Sequence, residues 1–207
     1  MAESLLTYAL TTVARVKARL KIDVADHDTV LLGYINGVTD FIETLCGGRR
    51  FKKQTITHEL HSVEPGQSMI FLKQGPVASV SAFEYNAGTK SSPNWTAFQD
   101  DIWYLEGDGK AGIIEVDGVM PSGTNIVRVT YVAGYEINFS NFGDMSTHTL
   151  PADLTDLAER LVTRRWKKRE NEGQQSSGVQ SSTISWQALL DDEDKAIIAA
   201  YRRDRFL

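Results

Sequence analysis

Four histidines, one cysteine and several clustered acids are the side chains of this sequence whose chemistry could go beyond packing. The histidines are His27, His58, His61 and His148. Zinc is held by histidines and cysteines in closely spaced pairs, but no H-x-x-x-H occurs and no histidine stands at zinc spacing from Cys46. His58 and His61 are three apart on an alternating stretch, a spacing that sends them to opposite faces of a strand. Asp23, Asp26 and Asp28 could suggest calcium. A calcium loop needs further oxygen ligands at fixed offsets, a glycine at the sharp turn and a closing glutamate. None of these follows, so the acids read as helix caps. Residues 107–112, Gly-Asp-Gly-Lys-Ala-Gly, match G-x-G-x-x-G literally. That fingerprint holds pyrophosphate only where a helix begins after it. Here Ile-Ile-Glu-Val at 113–116 follows and reads as a strand, so the glycines predict a hairpin turn. There is no G-x-S-x-G, Walker lysine or H-E-x-x-H. The sequons at Asn94 and Asn138 come without a secretory signal. The residues therefore predict no catalytic group, no metal and no cofactor.

The elements that would position any site change character twice along the chain. Residues 1–50 read as helical. Thr11 or Thr12 can cap a helix with Val13, Val16 and Leu20 on one face. After the turn at 23–28, Leu31, Ile35, Val38, Ile42 and Leu45 form the stripe of a longer helix that Gly47 and Gly48 end. Cys46 adjoins that stripe and is expected in the core. Residues 51–148 alternate. Ile56, His58 and Leu60 fall on one face of a strand, opposite Thr55, Thr57, Glu59 and His61. Further strands are expected at 69–73, 77–85, 95–98, 102–106, 113–117 and 126–132, parted by glycine and proline. From 149 the chain is helical again. Leu154, Leu157, Ala158, Leu161, Val162 and Trp166 form a proline-led amphipathic stripe, a polar segment fills 170–183, and a last helix is expected at 191–205. The fold class is α+β: a helical bundle of the two ends, 1–50 and 149–207, with an inserted antiparallel β-sandwich or barrel-like domain at 51–148.

Arg164, Arg165, Lys167, Lys168 and Arg169, joined by Arg160, form the densest basic run. They suit the negative end of a helix dipole and a solvated face; the sharper reading is a charged interface for an acidic partner or a phosphate. The 207 residues carry a net charge of −5, which argues against a dedicated DNA-binding domain. No apolar run approaches the roughly 20 residues of a membrane span, and a single cysteine allows no internal disulfide.

Five stretches, in this order, carry a resemblance. Residues 10–51 run from Leu-Thr-Thr-Val through an acidic turn to Cys-Gly-Gly-Arg-Arg-Phe. Residues 71–86 hold a strand, a Pro-Val turn and another strand. Residues 127–136, Val-Arg-Val-Thr-Tyr-Val-Ala-Gly-Tyr-Glu, lead to the proline-led helix and basic, glycine-terminated end at 150–173, and 191–206 form a terminal helix. The chain resembles the head–tail connector (adaptor, head completion) proteins of tailed bacteriophages, especially the larger ones of prophages and gene-transfer agents. It departs from the shortest members by its long β insertion.

The resemblance implies a non-enzymatic virion protein at the head–tail junction, made in the bacterial host cytoplasm. It implies a homo-oligomeric ring of about twelve copies that closes by rotation. Such a ring would bind the portal protein and the next tail-side connector or tail terminator, and let genomic DNA pass without holding it. In related connectors the C-terminal segment reaches into the portal. Here that segment gives Tyr201, Arg202, Arg203, Arg205, Phe206 and Leu207 as portal-docking residues. Two other readings compete: a nucleic-acid-binding adaptor using the basic run, and a ligand-binding β module with Trp95, Trp103 and Tyr104 as an exposed platform.

Overall fold

A computed structural model describes residues 4–140, 147–169 and 190–202. The chain divides into two compact units, one built from residues up to Arg49 and from Ile137 onward, the other from Arg50–Glu136.

The first unit holds the helices α1 (Val13–Leu20), α2 (Asp28–Leu45), α3 (Ala152–Lys168) and α4 (Asp192–Tyr201). Thr12 caps α1 by accepting a hydrogen bond from the Arg15 amide, while Thr11 turns inward. The segment before it is not helical. It lies along α2, where Asn36 and Thr39 accept bonds from the amides of Leu6 and Leu10. The acids of the following turn do not cap α2 as expected. His27 holds the N-cap position without a side-chain bond, and Asp28 pairs with Lys17 at 2.8 Å. An acid in the first turn still suits the helix dipole. The stripes behave as periodicity demands. Leu31, Ile35, Val38 and Ile42 of α2 are buried, as are Leu154, Leu157, Ala158, Leu161, Val162 and Trp166 of α3. α3 packs on α1, α2 and α4. The connection after Glu136 is tied to these helices: the Asn138 amide donates to His148 Nδ1 at 3.1 Å, and Phe139 packs on the His148 ring and beneath Arg15.

The second unit is all β apart from one short turn of helix. A four-stranded antiparallel sheet runs in the order β1 (Gln54–Val63), β7 (Gly123–Ala133), β3 (Val77–Asn86), β4 (Trp95–Ala97). A three-stranded antiparallel sheet runs β2 (Met69–Phe71), β6 (Ile113–Val116), β5 (Trp103–Leu105). One core serves both: Phe83, Val127, Val129 and Tyr131 from the larger sheet meet Ile70, Ile114 and Val116 from the smaller. Neither sheet closes, which corrects the barrel alternative. Closure needs strands long enough to tilt and pair all the way round, and β2, β4 and β5 have three residues each. The G-x-G-x-x-G stretch joins the antiparallel pair β5–β6. Gly107, Asp108, Gly109 and Gly112 all have left-handed backbones there. A Cβ on Gly109 would stand 2.0 Å from the Val77 carbonyl oxygen, so only glycine fits.

β1 departs from simple alternation. Its pairing with β7 shifts between Ile56 and Glu59, where His58 takes φ 55° and its amide bonds Thr130 Oγ1. Such a bulge exchanges the faces beyond it. Leu60 is left exposed and Glu59 turns inward. The Glu59 carboxylate accepts from the Tyr131 hydroxyl at 2.7 Å and the Lys73 amide at 2.9 Å. His61 Nε2 stands 2.9 Å from it, at ion-pair distance but not aligned as a hydrogen bond. Burial pushes the Glu59 pKa up; the contacts with His61, Tyr131 and Lys73 outweigh it and leave the group below the usual carboxylate range. A carboxyl depressed in the folded state adds stability above its unfolded pKa and loses it as pH falls through the folded value. Acidification below about pH 4.3 should therefore destabilise this unit, and Glu59→Gln should remove part of that pH slope in thermal melts. Tyr131→Phe should cost roughly 1–3 kcal/mol at neutral pH, because it strips one partner each from Glu59 and from the Gln74 amide.

Candidate assembly interface

The basic run of α3 does not form one open patch. Arg160 and Arg164 point toward the start of α4, whose first residues are acidic. Arg164 bonds both Asp191 and Asp194. Arg160 lies 2.9 Å from Glu193, 3.1 Å from Asp156 and 3.4 Å from Asp194. Asp194 is fully buried. It also closes a reciprocal capping box with Asp191, each side chain accepting the other's backbone amide. The Asp191 carboxyl is held below its usual range, first by the Asp194 amide and then, against a desolvation cost, by Arg164.

A second ionic seam ties α1 to α3. Glu159 is buried and accepts from Arg15 at 2.5 Å and from Thr11 at 3.2 Å. Arg19 bonds Asp156 at 2.6 Å and reaches Glu159 at 3.4 Å. The rest of the run divides. Arg165 lies over the Tyr34 ring at 5.6 Å, where Gly37 leaves room for it, and Arg169 lies over Trp166. Lys167 and Lys168 have no ion pair among the described residues, and Lys167 is exposed.

Of the expected docking residues, Tyr201 and Arg202 are described, while Arg203, Arg205, Phe206 and Leu207 lie outside the described residues, as does the 170–183 segment. α4 ends at Tyr201, short of the expected 205. Its hydroxyl donates to the Asp153 carboxylate at 2.9 Å, and its carbonyl accepts from Arg49 at 3.2 Å. Just before it, Ile198 is buried and its carbonyl faces Cys46 Sγ at 3.8 Å. Burial raises the Cys46 pKa to about 11, so this thiol packs as a small apolar group and has almost no thiolate character.

The aromatic platform also comes apart. Trp103 and Tyr104 are neighbours on β5 and face opposite ways: Trp103 packs edge-on against Phe83 at 5.5 Å, while Tyr104 is exposed. Trp95 lies under the Arg128 guanidinium, which is itself paired with Glu84 across the sheet. Among the described residues no group of three or more histidine, cysteine or acidic side chains could hold a metal ion, and no helix is long and apolar enough to cross a membrane. Sequence reasoning missed the acids that answer Arg160 and Arg164, and the inward Glu59. The acidic start of α4 was visible, but nothing local pairs it with a helix about thirty residues earlier.

Asp194→Asn should loosen α4 by roughly 1–3 kcal/mol, between the values for exposed and buried pairs. Amide exchange across Asp192–Tyr201 should then accelerate about tenfold or more, while exchange in β7 stays as it was.

The arrangement offers anchoring and charge placement. No curated protein matches the sequence. Solved structures share the fold, two of them as follows. One is a chain of the neck of an empty gene transfer agent particle, at 20% identity and TM-score 0.57, covering 94% of this chain and 90% of that one. The other is a chain of the virion of a native gene transfer agent particle, at 22% identity and TM-score 0.55, with the same coverage of 94% and 90%. The head completion protein family matches residues 9–204. With nearly all of its sequence, both units included, spanned by that match, the chain belongs to the head completion protein family, a structural family of the bacteriophage virion.

Proposed function

We propose that this protein is a non-catalytic ring subunit seated beneath the portal, which extends the DNA channel and offers a surface to the next tail-side connector or tail terminator. About twelve copies close the ring by rotation. The four helices act as one connector domain of N- and C-terminal segments, carrying the β unit as an insertion. The observation that carries this reading is the family match across residues 9–204. The likeness in fold to neck and virion chains supports it. The competing DNA-binding reading loses two of its arginines, because Arg160 and Arg164 are engaged by acids of the same chain.

Portal docking falls to the segment after α4. Tyr201, fixed by Asp153 and Arg49, gives residues 202–207 a firm point of departure. Apolar Phe206 and Leu207 anchor that segment, and Arg202, Arg203 and Arg205 meet portal carboxylates. Imaging of the purified protein mixed with its portal should show a ring stacked coaxially on the portal; a portal left bare at saturating protein would refute the reading. Deleting residues 203–207 spares the Tyr201 anchor and should abolish attachment while α4 keeps its protection from amide exchange. Normal attachment of that truncated chain would place the docking elsewhere and leave the ring reading standing.

A further inference from the structure

We propose that the outer face of the three-stranded sheet is the surface that receives the Lys167–Lys168 end of α3 from a neighbouring copy of this chain. The proposal deepens the ring reading and rests on it.

The sheet has one buried face, and a solvent-facing antiparallel surface is ordinarily polar. This one is not. Met69, Glu115 and Tyr104 lie side by side across β2, β6 and β5, and Phe71 pairs with Ile113 in the adjoining row. Their inward neighbours Ile70 and Ile114 are buried in the core, yet Tyr104 is 52%, Phe71 44% and Met69 37% exposed. Val119, just past β6, is 67% exposed. Methionine and aromatic side chains gathered on a surface mark protein interfaces.

The charge around this face has one sign. Residues 99–118 contain six acids and one lysine. Asp101, Glu106, Glu115 and Asp117 make no ion pair among the described residues. Ser68, Asp101, Tyr104, Glu115 and Asp117 border an open hollow there. The Tyr104 hydroxyl donates to Glu115, and its pKa is raised first by that bond and then by burial and the charges of Glu115, Glu106 and Asp117. A face of methionine and aromatic side chains with Glu115 at its centre and further unpaired carboxylates beside it suits a partner that is basic and partly apolar.

A ring of identical chains must carry both halves of each contact on every chain. The basic half lies at the end of α3. Arg160 and Arg164 are committed to α4, and Arg165 and Arg169 lie over Tyr34 and Trp166, whereas Lys167 and Lys168 have no such engagement among the described residues. Trp166 precedes them on α3. Trp166 meets His27 edge-on at 5.0 Å, and Val24 and Val30, on either side of His27, are 54% and 44% exposed. The turn before His27 carries Lys21 beside Asp23 and Asp26.

The test uses portal-bound rings assembled from an equal mixture of isotopically light and heavy protein, treated with a zero-length carbodiimide cross-linker. Mixed-isotope links from Lys167 or Lys168 to Glu115 or Asp117 are expected. Glu115→Lys with Asp117→Lys, and separately Lys167→Glu with Lys168→Glu, should each lower ring formation about tenfold. Combining all four should restore it, an outcome that misfolding cannot produce. Rings whose links bypass the sheet face, links from that face to the portal or a tail-side protein, or a fourfold variant no better than either double would overturn the proposal while the ring reading survives. Particles with no ring of this chain would remove the ring reading and this proposal together.

Discussion

Two of the carboxylates shut away from water, Asp194 and Glu159, set the terms for the helical unit. A buried acid repays its desolvation only when cations and hydrogen-bond donors meet it in good geometry. Arg164 and Arg160 converge on Asp194, and Arg15, Arg19 and Thr11 converge on Glu159. α3 is the common element of both clusters, since it supplies Arg160 and Arg164 to α4 and Glu159 to α1. Apolar stripes alone would let these short helices slide or rotate against α3 at small cost, because hydrophobic contact has no direction. The ionic contacts have direction. They fix where α4 begins.

The parts of the fold that were legible in the sequence are those governed by short-range periodicity. The α3 stripe from Leu154 to Trp166 is buried residue for residue, and strands were expected near every position where one occurs. What escaped depends on contacts distant along the chain or on single backbone choices. Glu59 was placed on the polar face because its neighbours alternate, but the left-handed turn of the backbone at His58 exchanges the two faces. A histidine at positive φ leaves no mark in composition. The pairing of β1 with β7, at opposite ends of the β unit, is likewise invisible to local pattern. So are the partners of the basic run: dipole compensation explained its position, and only the structure separates arginines already spent on α4 and on aromatic rings from lysines that are not.

That separation changes how charge should be read in a chain meant to assemble. Net charge and charge runs describe solubility and long-range attraction, but an interface is made by charges that folding leaves uncompensated. In the helical unit most of the basic run is satisfied internally. In the β unit the reverse holds along β5 and β6, where carboxylates crowd a tyrosine and make no ion pair among the described residues. A monomer meant to stay alone gains nothing from such an imbalance, since like charges beside exposed methionine and aromatic rings cost stability and invite association. In the ring proposed above the same imbalance is useful. It keeps free chains apart by repulsion between like faces, and it favours only the orientation in which an acidic face meets a basic end, the head-to-tail geometry from which closed rotational assemblies are built.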